Sequence, residues 1–255
     1  MTSLPLHRLN EFIGLDKADS EAFARLASER RSFSRHDVIR AHGDPATEVF
    51  FLIDGWVACC VHSASGSEQI VKVHLRGDML GAPSLALNRA GESLLALTRA
   101  TVDVIPSDRL GKLFARAPKL SAAMFLSAQQ ERIWLMDRLM SIGRTNSVQR
   151  LAGFLHSIHH RMLLVDPDSA ERFELPLSQK ELADVLGITT VHANRTLAQL
   201  ETTGLASRAG RWITIHDPDG LRRLSCLPDR EFQRMPPWLS AVVQTPRATA
   251  ESLPV

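Results

Sequence analysis

Leu175–Ile215 reads LPLSQKELADVLGITTVHANRTLAQLETTGLASRAGRWITI, and this stretch decides the architecture of the 255-residue chain. Ser178 followed three residues later by Glu181 is an S-x-x-E capping box that opens a helix. Leu182 and Leu186, with Val185 beside them, bury one face of that helix. Ala183 is small where a second helix must come close. Gly187 sits where a tight turn needs positive φ. Thr189 or Thr190 then caps a second helix at about 189–203, whose Ala193, Leu197 and Leu200 face inward. A small residue, a glycine four positions on and a capped second helix form the helix-turn-helix layout. Gly204-Leu205 ends the second helix, and LASRAGRWITI reads as two short strands around Arg208-Ala209-Gly210-Arg211. The whole is a winged helix-turn-helix, and an unrelated helical hairpin would not predict the wing.

Such a second helix enters the major groove of DNA with its N-terminal residues toward the base edges. Thr190, Val191, His192, Asn194 and Arg195 occupy its early turns. Arg195 can bond guanine O6 and N7 in bidentate fashion, which gives ~1–3 kcal/mol of discrimination. Asn194 can do the same for adenine or can face the protein, and Val191 can touch a thymine methyl. Ser178, Gln179, Thr189, Arg208 and Arg211 are better placed for phosphates, which position without specifying. For the two wing arginines a solvated turn is the alternative.

Upstream the pattern changes. Residues 5–28 look helical, with Phe23, Leu26 and Ala27 sharing a face after Asp16. From about 30 to 110, apolar or β-branched runs (Val49–Val61, Gln69–Leu75, Leu94–Ile105) alternate with turn signals at 42–45, 54–55, 65–67 and 76–78. Short strands at regular spacing predict a compact β-barrel or jelly roll. Pro118 opens a long helix that ends near Gly143. Ala123, Leu126, Gln130, Ile133, Asp137 and Met140 line one face. Phe125, Leu135, Leu139 and Ile142 supply a second apolar face, for a second subunit or for the chain's own core. Residues 146–163 form another amphipathic helix, 165–176 a polar connector, and the tail from Pro228 is expected to be partly disordered or surface-packed.

Composition sets looser bounds. Hydrophobic residues make up 44% and charged residues 23%, as in ordinary globular proteins. A net charge of +2 means that any DNA-binding charge must be concentrated on one face. No signal peptide and no ~20-residue apolar stretch is present, which leads to the expectation of a cytoplasmic protein without membrane attachment. Cys59, Cys60 and Cys226 form no CxxC spacing and read as structural thiols. His156, His159 and His160 lie on one helix, but no carboxylate or cysteine at matching spacing completes a metal set, so no metal site is expected. No His-x-His, nucleophile elbow, P-loop or H-E-x-x-H occurs, which argues against a cupin-type metalloenzyme and other enzyme classes.

Taken together, LSQKELADVLGITTVHANRTLAQLETTGL resembles the CRP/FNR family of regulators, and Thr190-Val191-His192 with Asn194-Arg195 looks most like its FixK-like branch. Glu48–Phe51 through Gly55, then Gly77-Asp78 with Gly81, resemble the family's sensory barrel. The resemblance spans roughly residues 20–225. It implies an α+β chain with an N-terminal double-stranded β-helix (jelly-roll) sensor barrel of cyclic-nucleotide-binding type at 1–117. A dimerisation helix at 118–143 would follow, then a winged helix-turn-helix domain at 144–227 and a tail at 228–255. It further implies a homodimer on a near-palindromic double-stranded DNA operator, a hinge near Ser141–Asn146 and contact with RNA polymerase. Arg195 occupies the family's base-reading position, and Val191 stands where many members carry glutamate.

The sensor departs from the family pattern. Ala82 replaces the glutamate that holds the ribose of cyclic AMP, and Glu92-Ser93 stand where an arginine-serine pair holds its phosphate. No cysteine precedes Cys59, so the N-terminal cysteines of an oxygen-sensing iron–sulfur cluster are missing. Neither cofactor is therefore expected, and the effector is unidentified. His74, Cys59 or Cys60 could in principle ligate haem, which leaves a haem- or other small-ligand-responsive sensor as the alternative function. A protein-interaction module that kept a regulator's shape is a further alternative.

Overall fold

The computed structural model describes residues 4–165 and 171–240. The region expected to be helical over 5–28 forms two short helices, α1 (His7–Asn10) and α2 (Lys17–Ala24). The interruption has a local cause. Asn10 Oδ1 accepts the N–H of Leu15, and Asp16 and Asp19 close a capping box that starts α2 afresh.

Eight strands then build the barrel: β1 (Glu29–Phe33), β2 (Val38–Arg40), β3 (Glu48–Asp54), β4 (Val57–His62), β5 (Glu68–His74), β6 (Met79–Leu80), β7 (Ser93–Ala96) and β8 (Ala100–Pro106). They form two four-stranded sheets of order β1-β8-β3-β6 and β2-β7-β4-β5, with antiparallel pairing throughout. Strand period assigns each side chain to a layer. Phe50 and Leu52 of β3 meet Val57, Leu80, Leu94, Val102 and Val104 between the sheets. The alternate residues Val49, Phe51 and Ile53 turn outward onto Leu9, Ile13 and Phe23 and onto the helices that follow the barrel.

Those are α3 (Ser107–Arg116) and α4 (Pro118–Arg144). Leu120, Ala123, Gln130, Asp137 and Ser141 form the buried face of α4. Phe125, Leu135, Met136, Leu139 and Ile142 stay exposed, Leu139 by 73%. Thr145 and Asn146 are extended, and Asn146 caps α5 (Ser147–Leu163) through a capping box with Gln149.

The region expected to be a polar connector is only partly described. Its described end carries a strand, β9 (Arg172–Glu174), with Phe173 buried and its neighbours exposed. Helices α6 (Gln179–Leu186) and α7 (Thr190–Thr202) follow, then β10 (Ala206–Ala209), β11 (Trp212–Ile215) and α8 (Pro218–Ser225). β11 pairs with both β10 and β9, so the wing is a three-stranded sheet.

Of the two outcomes expected for the tail, the residues described as far as Ser240 take the surface-packed one. The tail runs from the winged unit back across α4: Arg230 grips Asp137 with a bidentate pair, Nη2–Oδ1 at 2.7 Å and Nε–Oδ2 at 3.1 Å. Phe232 packs edge-on against Trp134 and Phe12, Met235 N–H donates to the Phe12 carbonyl at 2.9 Å, and Leu239 is fully buried beside α4. Residues 241–255 lie outside the described part. No helix among the described residues is long and apolar enough to cross a membrane.

Candidate nucleic-acid interface

Each local signal in the decisive stretch has a structural counterpart. Ser178 Oγ accepts from Glu181 N–H at 3.2 Å, and the Glu181 carboxylate accepts from Ser178 N–H at 2.6 Å. Two N–H groups that the start of a helix leaves unpaired are thereby satisfied. Gly187 ends α6 at φ +65, a left-handed conformation that costs a glycine nothing sterically. Thr189 Oγ1 accepts from His192 N–H at 3.3 Å and so fixes the first turn of α7. Ala193, Thr196, Leu197 and Leu200 of α7 are buried against α5, α6 and the wing, and this sets the rotation of the helix.

That rotation turns Thr190, Val191, Asn194 and Arg195 outward, with Val191 exposed by 74%. Ser178, Gln179 and Thr189 are exposed at the adjoining helix starts. Asn194 Nδ2 donates to Gln179 Oε1 at 3.1 Å, so the two helices are joined by a pair of these residues. The His192 ring, though exposed, has Nε2 within 2.9 Å of Ser147 Oγ at the start of α5, and Ser147 also accepts from Thr196. Arg195 takes no hydrogen bond or ion pair with any described residue and is free to extend. In the wing, Arg208 Nε donates to the Gly210 carbonyl at 2.7 Å, and Arg211 Nε meets Glu174 Oε1 at 2.9 Å. Both arginines brace the turn and stay at the surface. Sequence reasoning missed Arg172, whose guanidinium lies 5.0 Å from the Trp212 ring centre on the same sheet. An arginine alternating with Phe173 on a wing strand was the available signal.

The interface unit does not hang free of the barrel. Ile70 N–H of β5 donates to Asp184 Oδ2 of α6 at 2.8 Å. Burial raises the Asp184 carboxyl above the ordinary carboxylate range, against the pull of that N–H. Arg138 of α4 donates to the carbonyls of Ile70 and Val185. Arg161 of α5 pairs with Asp78 of the barrel and donates to the Val73 carbonyl at 2.9 Å. Ile70, Val73 and Leu75 share one hydrophobic cluster with Leu182, Val185 and Leu186.

The sensor barrel departs from a nucleotide site in its geometry too. Arg40 and Glu92, both nearly fully buried, form an ion pair in the corner beside Gly81. Ser84 Oγ donates to the other Glu92 oxygen at 2.5 Å, and Arg40 Nη2 donates to the Gly81 carbonyl at 3.3 Å. A Cβ on Gly81 would stand 2.5 Å from Arg40, so guanidinium already fills the space the glycine leaves. The residues present do not fit a cyclic nucleotide phosphate: the cation is neutralised internally and a buried carboxylate faces the same space.

Metal cofactors fare no better. Cys59 and Cys60 are consecutive on β4, and in the metal-free chain burial holds the Cys59 thiol up at about 12 and raises Cys60 further, so both are unreactive thiols. Cys226 stands far along the chain on the exposed end of α8. His74, Asp78 and Glu131 bring donor atoms within 4.8 Å of one another. Lys72 and Arg161 already neutralise these carboxylates, and His74 Nδ1 lies 3.3 Å from Asp78 Oδ2. The cluster is a buried ionic junction between the barrel, α4 and α5. Burial lowers the pKa of His156 and of His159, and neither belongs to a three-donor group among the described residues.

Comparison with known proteins agrees with this geometry. The Crp-like helix-turn-helix domain family matches residues 149–224, and the cyclic nucleotide-binding domain family matches residues 30–117. An anaerobic regulatory protein of Haemophilus influenzae is 26% identical over 211 residues, covering 83% of this chain and 82% of its own length. The fumarate and nitrate reduction regulatory protein of Escherichia coli K12 is 22% identical over 83% of this chain and 84% of its own. In fold, FixK2 from Bradyrhizobium japonicum superposes with a TM-score of 0.69 at 23% identity, covering 79% of this chain and 98% of that one. The capped, glycine-turned helix pair, its three-stranded wing and the eight-stranded barrel before it therefore belong together: this chain is a CRP/FNR-type transcription regulator with a helix-turn-helix DNA-binding domain.

Proposed function

We propose that the chain acts as a cytoplasmic homodimer that binds a near-palindromic operator and modulates transcription through contact with RNA polymerase, without catalysis of its own. The observation that carries this reading is the outward face of α7, where Arg195 projects unpaired beside Val191 and Asn194. In this reading Arg195 reads guanine, Val191 lies against a thymine methyl, and Thr190 contributes beside them. Ser178, Gln179, Thr189, Arg208 and Arg211 hold phosphates, and His192 orients the helix through Ser147. The exposed stripe Phe125–Leu135–Leu139–Ile142 on α4 supports pairing of two copies, which sets the half-sites about one DNA turn, ~34–36 Å, apart.

Any effector would act by binding two domain arrangements with different affinity. The extended pair Thr145–Asn146 is the place where such arrangements would exchange. Selection of bound sequences from a random DNA pool with the full-length protein tests the proposal. Enrichment of a two-fold symmetric site is expected, and the absence of salt-sensitive DNA binding under all conditions would overturn it.

A further inference from the structure

A cavity of about 740 Å³ lies where the barrel, α4, α5, α6 and the returning tail meet. It is separate from the Arg40–Glu92 corner and from the exposed face of α7. Val71 and Val73 of β5 form one wall, Trp134 of α4 and Phe154 of α5 a second, and Phe232 of the tail covers it. Its volume is in the range of sites for small organic molecules. Apolar and aromatic side chains such as Trp134, Phe154 and Phe232 alternate along the lining with eleven charged ones.

Six of these charged side chains are cations and five are carboxylates, Glu11 and Glu231 among the latter, and Glu11 pairs with Arg8 outside the lining. Arg230 is spent on Asp137, Lys72 on Glu131, and Arg222 on Asp229. Arg161 is spent on Asp78. Two arginines on the wall, Arg138 and Arg150, form no ion pair among the described residues, although Asp184 lies near enough to Arg138 to act on its charge. Arg138 donates to backbone carbonyls only, and Arg150 carries a buried Nε with no hydrogen-bond partner. His156 Nδ1, on the same wall, is likewise buried and unpartnered. An unpartnered guanidinium nitrogen beside aromatic walls costs free energy unless an anion meets it.

We propose that this cavity binds a small organic anion with an aromatic or flat apolar body, its acidic group on Arg150 and its body between Trp134, Phe154 and Phe232. The ligand would touch the barrel, the long helix, the winged unit and the tail at once, and would thus couple their arrangement. Of the exposed stripe on α4, Leu135 and Ile142 reach the rim. The binding claim stands whether or not the chain reads DNA as proposed above.

The test uses 8-anilinonaphthalene-1-sulfonate, an aromatic anion, with the full-length protein. One saturable site per chain is expected, with emission sensitised by excitation of tryptophan. Trp134 lines the cavity, so Trp134→Phe should lower that sensitised emission. Arg150→Gln should weaken binding at least tenfold, and Ser157→Phe, which adds a ring to the lining, should abolish it. Phenyl phosphate should displace the dye competitively in the unaltered protein, a readout that needs no variant to fold. Sensitised emission unchanged by Trp134→Phe together with binding unchanged by Arg150→Gln, or the absence of a saturable displaceable site in the unaltered protein, would overturn the proposal.

Discussion

Asn194 of the recognition helix donates its side-chain amide to Gln179 at the start of the preceding helix, 3.1 Å away. Two residues facing the proposed DNA surface are therefore partly committed to each other. The pair links the start of α6 to the early turns of α7. Asn194→Ala should weaken binding to the selected operator less than about fivefold, the worth of one exchanged hydrogen bond. Fluorescence anisotropy measures this, and a loss of a hundredfold would show that Asn194 reads a base directly.

The apolar stripe on α4 makes a second prediction. Leu139 is its most exposed member, so Leu139→Glu puts a charge on the proposed seam without disturbing the packing of a single chain. Sedimentation should show a shift toward monomer with unchanged circular dichroism and weakened operator binding. A variant that remained dimeric would place the subunit contact elsewhere.

Arg40 and Glu92 predict a stability effect. Removing one partner leaves a buried charge unmatched, so Glu92→Ala should cost about 3–5 kcal/mol. Arg40→Met combined with Glu92→Leu should recover much of this, since the double change removes both charges. Urea denaturation measures both. A cost below about 1 kcal/mol for Glu92→Ala would mean that water reaches the corner.

His7 packs over Gly77, where a Cβ would stand 2.6 Å from the ring. Burial first, and the neighbouring Arg8 second, lower its pKa from 6.5 to about 4. In the unfolded chain the imidazole takes up a proton near pH 6.5, but in the folded chain only near pH 4. The neutral ring's contribution to stability is thus fully present above pH 6.5 and lost as pH falls through 4. His7→Gln should lose less stability than the unaltered protein over that window in urea titrations. Parallel curves would contradict the assignment.

The contrast between local and long-range signals explains what the sequence made legible. Ser178–Glu181, Gly187 and Thr189 act within a few residues, and each was readable from spacing. The alternation of Val49–Ile53 was readable as a strand, though not which layer each face would meet. The docking of Asp184 on Ile70 joins residues 114 apart, and Arg230 reaches Asp137 across 93. No periodicity encodes such pairs. Asp137 and Gln130 fell on the inward face of α4, as read from spacing, but their partners Arg230 and Glu11 had no sequence signal. For the same reason the tail was legible only as partly disordered or surface-packed, and its anchoring to the N-terminal half through Phe232 and Leu239 was not.

The most direct test of the central claim compares Arg195→Ala with the unaltered protein on the selected operator and on unrelated DNA. The account predicts a dimer that keeps its salt-dependent binding to any DNA while discrimination at one guanine per half-site falls by ~1–3 kcal/mol, roughly fivefold to over a hundredfold. Operator affinity and base preference unchanged in Arg195→Ala would contradict the claim that α7 reads DNA through this residue.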